Sequence, residues 1–513
     1  MEPMNRKWWC AQTTCFFLLW AGLLWFAPSN MLGDPGTMWH TVVGERMLQT
    51  GELLRFDPFT FSCQGQPWIA QQWLGEIAMA LLHRLGGLDA VVLATVTLLA
   101  ATYAFLTGRF SRTGLPGLAC VVLIMLVIAA SSYHFLPRPH IVTIALMAWM
   151  YALLSDIEAG RRSPHLLLLL PLLYVMWTNI HGGVLGGIAT STCVLLGWLV
   201  WHRLPRVRRH GEKPVAGPVI IGAAASLSFV AVLVNPYGTA LPRVWVSLMG
   251  SEVLPKLIIE HAPMQVLSVE GVTVLALAVV YLTLLITAWS SGRRITWLMP
   301  LIWLGLTFAR IRHGPLFAVI AAVAIADMLP HSPLVAGLLQ QTGRSLKPPV
   351  VPTRFGIRPV LIPALMVVLA LALQANAVAC PLIGARWSRL DPACWPVEAT
   401  QELRRQIGRG GSGRKVFNDL GMGGYLIYAA PETHIYIDDR CELHRDDGLL
   451  QYEQFSTKPE LIDAFAAYEG IDWALTKTGS RFDRHFAVTQ HWRQLHRDTT
   501  ASLYGRVKSQ QMK

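Results

Sequence analysis

Side chains able to exchange protons or carry charge gather in one polar stretch, GDPGTMWHTVVGERMLQTGELLRFDPFTFSCQGQPWIAQQWLGE, beyond an apolar run that ends near Phe26. Asp34, His40, Asp57 and Glu76 stand out there, because carboxylates and imidazoles are the groups that most often move protons in catalysis. Asp34 lies just past the apolar run, where a carboxylate is costly unless it is hydrated, paired or used. Each also has a structural reading. Asp34 suits the N-cap of an amphipathic stretch at 38–50, His40 a plain interfacial position, and Asp57 the start of a turn before Pro58. Glu76 sits in an apolar amphipathic segment, where an acid would ordinarily face water. Cationic groups recur at the ends of later apolar runs: Arg138 and His140, His181, then Arg310, Arg312 and His313 in ARIRHGP. Snorkelling at an interface would explain the arginines, and His181 with Thr178 and Asn179 would cap a tight hairpin turned by Gly182 and Gly183. Near the end, Asp438, Asp439, Arg440 and Glu442 follow a strand-like segment. They read as a solvated strand end, or as a place where a cation or acceptor binds.

The elements that must position these residues are membrane helices. The chain has 513 residues, of which 53% are hydrophobic and 14% charged, and its mean hydropathy is +0.42. Such a composition is far from that of a soluble domain. The net charge of +12 does not signal nucleic acid, because the basic residues sit in short loops between apolar runs. Spans are expected near 8–28, 88–108, 114–134, 139–155, 165–180, 183–202, 216–235, 271–290, 295–309, 314–330 and 359–379. The first reads as an uncleaved span rather than a signal peptide, with Arg6 and Lys7 before it and tryptophans at its ends. Segment 72–85 is too short and too charged to span, and is expected at the interface or lining a cavity.

Alternate loops, including AGRRSPH, HRLPRVRRHGEKP and GRSLKPPVVPTRFGIR, hold more Lys and Arg than the opposite connections. That bias puts the N-terminus in the cytoplasm. An odd number of spans, about eleven, then delivers the tail to the outer face. We therefore expect a transmembrane domain at 1–380, with its first outer loop at 29–87, and an extracytoplasmic α/β domain at 381–513. In the tail, EATQELRRQIG and ELIDAFAAYEG read as helices, and RKVFND, THIYID and DWALTK as short strands. An oxidising compartment would permit a Cys380–Cys394 bridge, the alternative being free thiols. There is no CxxC pair and no zinc spacing.

Taken in order, these motifs resemble those of bacterial multi-span proteins similar to GT-C glycosyltransferases. Asp34, Trp39 and His40 resemble that group's D-x-D-x-W-x-H run, which continues through Asp57-Pro58-Phe59 and Trp73-Leu74. Leu136-Pro137-Arg138-Pro139, Asn179-x-His181-Gly182-Gly183, Asn235-Pro236-Tyr237-Gly238 and Arg312 through Phe317 resemble its later turns. Phe417-Asn418 with Gly423-Gly424-Tyr425, and Ile437-Asp438 with Arg440, resemble its tail motifs. The resemblance runs along most of the chain.

It implies a bacterial inner-membrane transferase that takes a sugar from a polyprenyl-phosphate donor on the outer face. Catalysis would involve Asp34, His40 and Glu76, with Asp34 as general base. Arg312, His313, Arg310 and Arg138 would receive the donor phosphate, and Asp438 and Arg440 the acceptor, whose identity is undetermined. The chain departs from the group where a second Asp is usual, having Gly36, and where His-Glu is usual, having Gln71-Gln72. Gln cannot take up a proton or strongly anchor a divalent cation. These changes argue against metal chemistry through an Asp-x-Asp pair, and the cofactor is left undetermined. They also suggest two rivals: a non-catalytic scaffold or assembly subunit of the same fold, and a lipid or polysaccharide transporter. The latter lacks an evident inverted repeat.

Overall fold

The computed structural model describes residues 9–26, 28–203, 214–340, 343, 345–347, 358–408 and 414–507. The N-terminal Arg6 and Lys7, most of HRLPRVRRHGEKP and the PPVVPTRFGI segment lie outside the described residues. Apart from single turns and a short helix at Pro333–Gln340, the first thirteen helices are α1 Ala11–Phe26, α2 Pro35–Thr50, α3 Trp73–Ser111, α4 Gly117–Ala129, α5 His140–Glu158, α6 Leu170–Ile180, α7 Val184–Arg203, α8 Pro218–Ala231, α9 Ala240–Gly250, α10 Val269–Ala288, α11 Met299–Ala309, α12 Gly314–Met328 and α13 Arg358–Ala375. A helix lies at each position where a span was expected. Among the described residues, six helices are long and apolar enough to cross a membrane: Trp73–Ser111, His140–Glu158, Val184–Trp201, Val269–Ala288, Ile311–His331 and Arg358–Ala375. The others on those positions are shorter. The chain is a multi-helix membrane protein.

Two positions in α3 are not helical, Gly86 and Gly87, and Gly87 adopts φ +68°, ψ −155°. Such a backbone is open to glycine and strained for other residues. The break separates 73–85 from 88–111, matching the expected division between an interfacial segment and a span. At one end of the bundle, Arg109 pairs with Asp156, and Arg161 bridges Asp156 to Asp327 at 2.8 and 2.6 Å. Arg294 also bonds Asp327. Arg161, read from the sequence as an orientation marker in AGRRSPH, is therefore also a structural partner of buried acids, as are Arg109 and Arg294.

The rest of the described chain forms α14 Val397–Gly408, α15 Leu420–Ala429, α16 Cys441–Thr457, α17 Leu461–Glu469 and α18 Arg481–Val488, around strands β1 Lys415–Asn418, β2 His434–Ile435, β3 Trp473–Lys477, β4 Trp492–Arg497 and β5 Ala501–Arg506. The sheet order is β2-β1-β3-β5-β4. β1 runs parallel to both β2 and β3, while β5 is antiparallel to β3 and β4. Gly424 lets this unit sit against α2, within the first polar stretch. A Cβ at Gly424 would collide with the Pro35 carbonyl and the Trp39 ring of α2. Tyr425 stacks on Trp395 at 5.2 Å, and the Trp395 indole donates to the Leu32 carbonyl at 2.8 Å. The connector is tied down further by Asp89, which accepts from the backbone of Arg386 and Ser388 at 2.6 and 2.9 Å. The eight cysteines are free thiols, Cys380 and Cys394 included.

Candidate functional site

The first polar stretch folds into the joint between the bundle and the sheet unit. The Phe59 carbonyl accepts from the Ile435 amide at 3.1 Å, and the Phe61 amide donates to the Ile435 carbonyl at 3.0 Å. The loop thus continues the sheet beyond its edge strand β2. Asp57 caps its own turn, accepting from the Thr60 amide at 2.8 Å. It also accepts from Arg440 Nη1 at 2.7 Å. Arg440 donates through Nε and Nη2 to both oxygens of Asp438, at 2.9 and 2.6 Å. All three side chains are fully buried. Trp68, Phe59 and Trp39 ring the guanidinium at 4.7, 5.2 and 6.0 Å. Burial alone would raise the Asp438 carboxyl, but the Arg440 charge holds it well below the usual carboxylate range. The solvated strand end read from the sequence is therefore a buried clasp. Burial and mutual pairing leave Asp438 and Arg440 no open face for an acceptor, and the proposed acceptor role does not fit this placement.

Asp34 carries two structural duties. It caps α2, accepting from the Thr37 amide at 3.2 Å, with Pro35 opening the helix. Both of its carboxylate oxygens also bond the Arg138 guanidinium. Arg138 is held in the Pro137-Arg138-Pro139 turn and reaches two further acids, Asp439 Oδ2 at 3.3 Å and Glu260 Oε1 at 3.7 Å. Burial pushes the Asp439 carboxyl up to about 7, with Arg138 opposing and the Asp34 and Asp438 charges adding to the rise. Its Oδ1 is buried without a hydrogen-bond partner. Burial acts to raise Glu260 too, but the Arg138 charge outweighs it and holds that acid well below its usual range. Next to Glu260, His261 Nε2 lies 2.6 Å from Arg312 Nη1. Burial and the Arg312 charge push His261 down to about 3, so it is a neutral acceptor.

The other sequence candidates divide. His40 turns from Asp34 to Glu76, with its Nδ1 2.9 Å from Oε1 and both residues buried. It was expected at a plain interfacial position or in catalysis with Asp34; helix packing buries its ring and turns it toward α3. Burial lowers the His40 pKa well below its ordinary value, with Arg138 adding to the effect. Glu76 Oε2 has no partner. Arg310 donates to the Met249 carbonyl at 3.1 Å, and the His313 ring lies against Trp303 at 5.7 Å. Only Arg312 of that trio joins the acidic cluster, through His261. His181 serves its turn, with Nδ1 accepting from the Gly183 amide at 2.9 Å. Gln71 Oε1 accepts from the Trp245 indole at 3.0 Å. Glu260 and His261 escaped the sequence reading because IEHAP matches no motif. Their only signal is an acid beside an imidazole between apolar runs.

An apolar cavity of about 220 Å³ runs between the two halves of α3 and the start of α5. Leu74, Ala78, Leu82, Ala94 and Leu98 wall it, and the Pro137-Arg138-Pro139 turn contributes to its otherwise apolar lining.

No family model matches the chain, and no curated protein matches it. Among solved structures, it is similar to ArnT from Cupriavidus metallidurans bound to undecaprenyl phosphate. The identity is 14%, 97% of this chain and 99% of that one are covered, and the TM-score is 0.48. ArnT from the same organism in the apo state gives 14% identity, 96% and 97% coverage and a TM-score of 0.46.

Proposed function

We propose that the protein is an inner-membrane glycosyltransferase of GT-C type, with eleven spans and an extracytoplasmic α/β domain. It would move a sugar from a polyprenyl-phosphate donor to an envelope acceptor. The observation that carries this reading is the apolar cavity beside the Pro137-Arg138-Pro139 turn. A lipid-linked sugar phosphate has an apolar chain and an anionic head, and a greasy hollow with an arginine in its wall suits both. Arg138 takes the phosphate in exchange for Glu260, the most loosely held of its three acids at 3.7 Å, with Arg312 as the second cationic group. As the acceptor attacks the anomeric carbon, the carbon–phosphate-oxygen bond breaks and the acceptor proton must leave. Asp439 takes that proton. One of its oxygens is free, and its affinity for protons is near neutrality, where a general base works best. Asp34 holds Arg138 in place as a positioning residue, because both its oxygens are taken up by the guanidinium.

The test uses purified protein with polyprenyl-phosphate sugars and envelope acceptors. Wild type should transfer, Asp439→Asn should lose about 100-fold or more, and Asp34→Asn should weaken donor binding. Equal transfer by wild type and Asp439→Asn would remove Asp439 from the chemistry. No donor binding and no transfer by wild type would leave the scaffold reading in place.

A further inference from the structure

An Asp-x-Asp pair of the kind that Asp34 resembles could hold a divalent cation, and the residues around Asp34 decide whether one fits here. At the second position stands Gly36, and the Arg138 guanidinium fills the space beside it. A Cβ at Gly36 would overlap Arg138 Nε and Cζ. Both Asp34 oxygens are engaged by Arg138, and Oδ2 also accepts from Thr37. The other two acids of the cluster, Asp439 and Glu260, point at the same guanidinium. Gln71, where an ionisable group would otherwise stand, is spent on Trp245. Mg²⁺ or Ca²⁺ needs several oxygens directly bound at about 2.0–2.6 Å. Here the oxygens that would supply them already converge on a side-chain cation.

We infer that Arg138 stands in the place of a divalent cation, so that this site carries its positive charge in the chain and binds donor without metal. The inference rests on reading this cluster as the donor-phosphate site. Gly36 is the residue that permits it, because only a residue without a side chain leaves room for the guanidinium. On this view Gly36 marks an exchange of cation. It also predicts a latent site: without Arg138, Asp34, Asp439 and Glu260 are three acids that have lost the guanidinium they share.

The experiment titrates Mn²⁺, Mg²⁺ and Ca²⁺ into detergent-purified wild type, Arg138→Lys and Arg138→Ala, reading the melting temperature and, for Mn²⁺, the free-ion electron paramagnetic resonance signal. In parallel, polyprenyl-phosphate binding is measured with and without chelator. Wild type and Arg138→Lys should take up no ion saturably, and lipid binding should ignore chelator. Arg138→Ala should gain saturable Mn²⁺ uptake, which a further Asp34→Asn change removes. Saturable uptake by wild type, lost in Asp34→Asn, would overturn the inference, as would lipid binding abolished by chelator and restored by metal. Should Arg138→Ala fail to fold, the wild-type titration decides alone. If wild type binds neither metal nor lipid phosphate, the donor reading fails and the metal result stands.

Discussion

Arg440 reaches Asp57 across 383 positions of the chain and bonds it at 2.7 Å with no solvent access to either side chain. Asp438 neutralises the other edge of the same guanidinium. A buried ion pair of this kind adds little net stability over an apolar substitute, yet breaking it strands a charge. The pair therefore acts as a register device, fixing which part of the loop meets which part of the sheet.

Arg440→Ala should accordingly cost about 3–5 kcal/mol, because it leaves Asp57 buried without its cation and Asp438 with only His444 beside it. The melting temperature should fall, and the loop between α2 and α3 should become open to protease. A variant that melts and resists protease like wild type would refute the clasp.

Gly36→Ala tests close packing. The added methyl must displace Arg138, and overpacking of this sort costs about 1–3 kcal/mol. Donor affinity should drop at least about 10-fold, since a tenfold change takes only about 1.4 kcal/mol. Gly222→Ala in α8, where a Cβ meets nothing within 4 Å, is the matched control and should behave as wild type.

Asp439 sets a pH dependence. Its carboxyl is raised from 3.8 to about 7 by burial, with Arg138 opposing and Asp34 and Asp438 adding to the rise. A base must be ionised, so kcat/KM should climb as pH rises toward about 7 and level above it. Asp439→Asn should lose that limb. The stability sign is the reverse. A folded pKa above the unfolded value favours the protonated form, so the contribution is whole below about 3.8 and lost as pH rises through about 7. Asp439→Asn should therefore melt like wild type at about pH 3.5 and increasingly above it as the pH rises to about 8.

The cavity makes a separate demand on the donor's tail. Ala94→Phe narrows its wall and should raise KM for long-chain polyprenyl donors while leaving kcat and the use of short-chain analogues unchanged. An equal rise for both donor lengths would show that the tail lies elsewhere.

Much of the helical layout was legible because apolar runs of spanning length state their own fold, and the Gly86-Gly87 break was visible as a charged, short segment before a longer one. The strands Lys415–Asn418 and Trp473–Lys477 announced themselves through short β-rich runs. Trp492–Arg497 did not, since its polar side chains hide an antiparallel partner. Partnership was the missing quantity at the site. Asp34 was read as base or cap, while its bond to Arg138 joins residues 104 apart. Asp438 and Arg440 looked exposed because nothing local shows that Asp57 covers them. Gly36 looked like a loss because the group that needs its space is distant in sequence.

The loop between α2 and α3 bonds Ile435, Tyr436, Arg440 and Glu442 far along the chain. During synthesis those bonds must wait until most of the chain has left the ribosome. A chain cut short before β2 would carry α1 to α13 yet lack Asp439 and Arg440, so neither the clasp nor the full acid cluster around Arg138 could form.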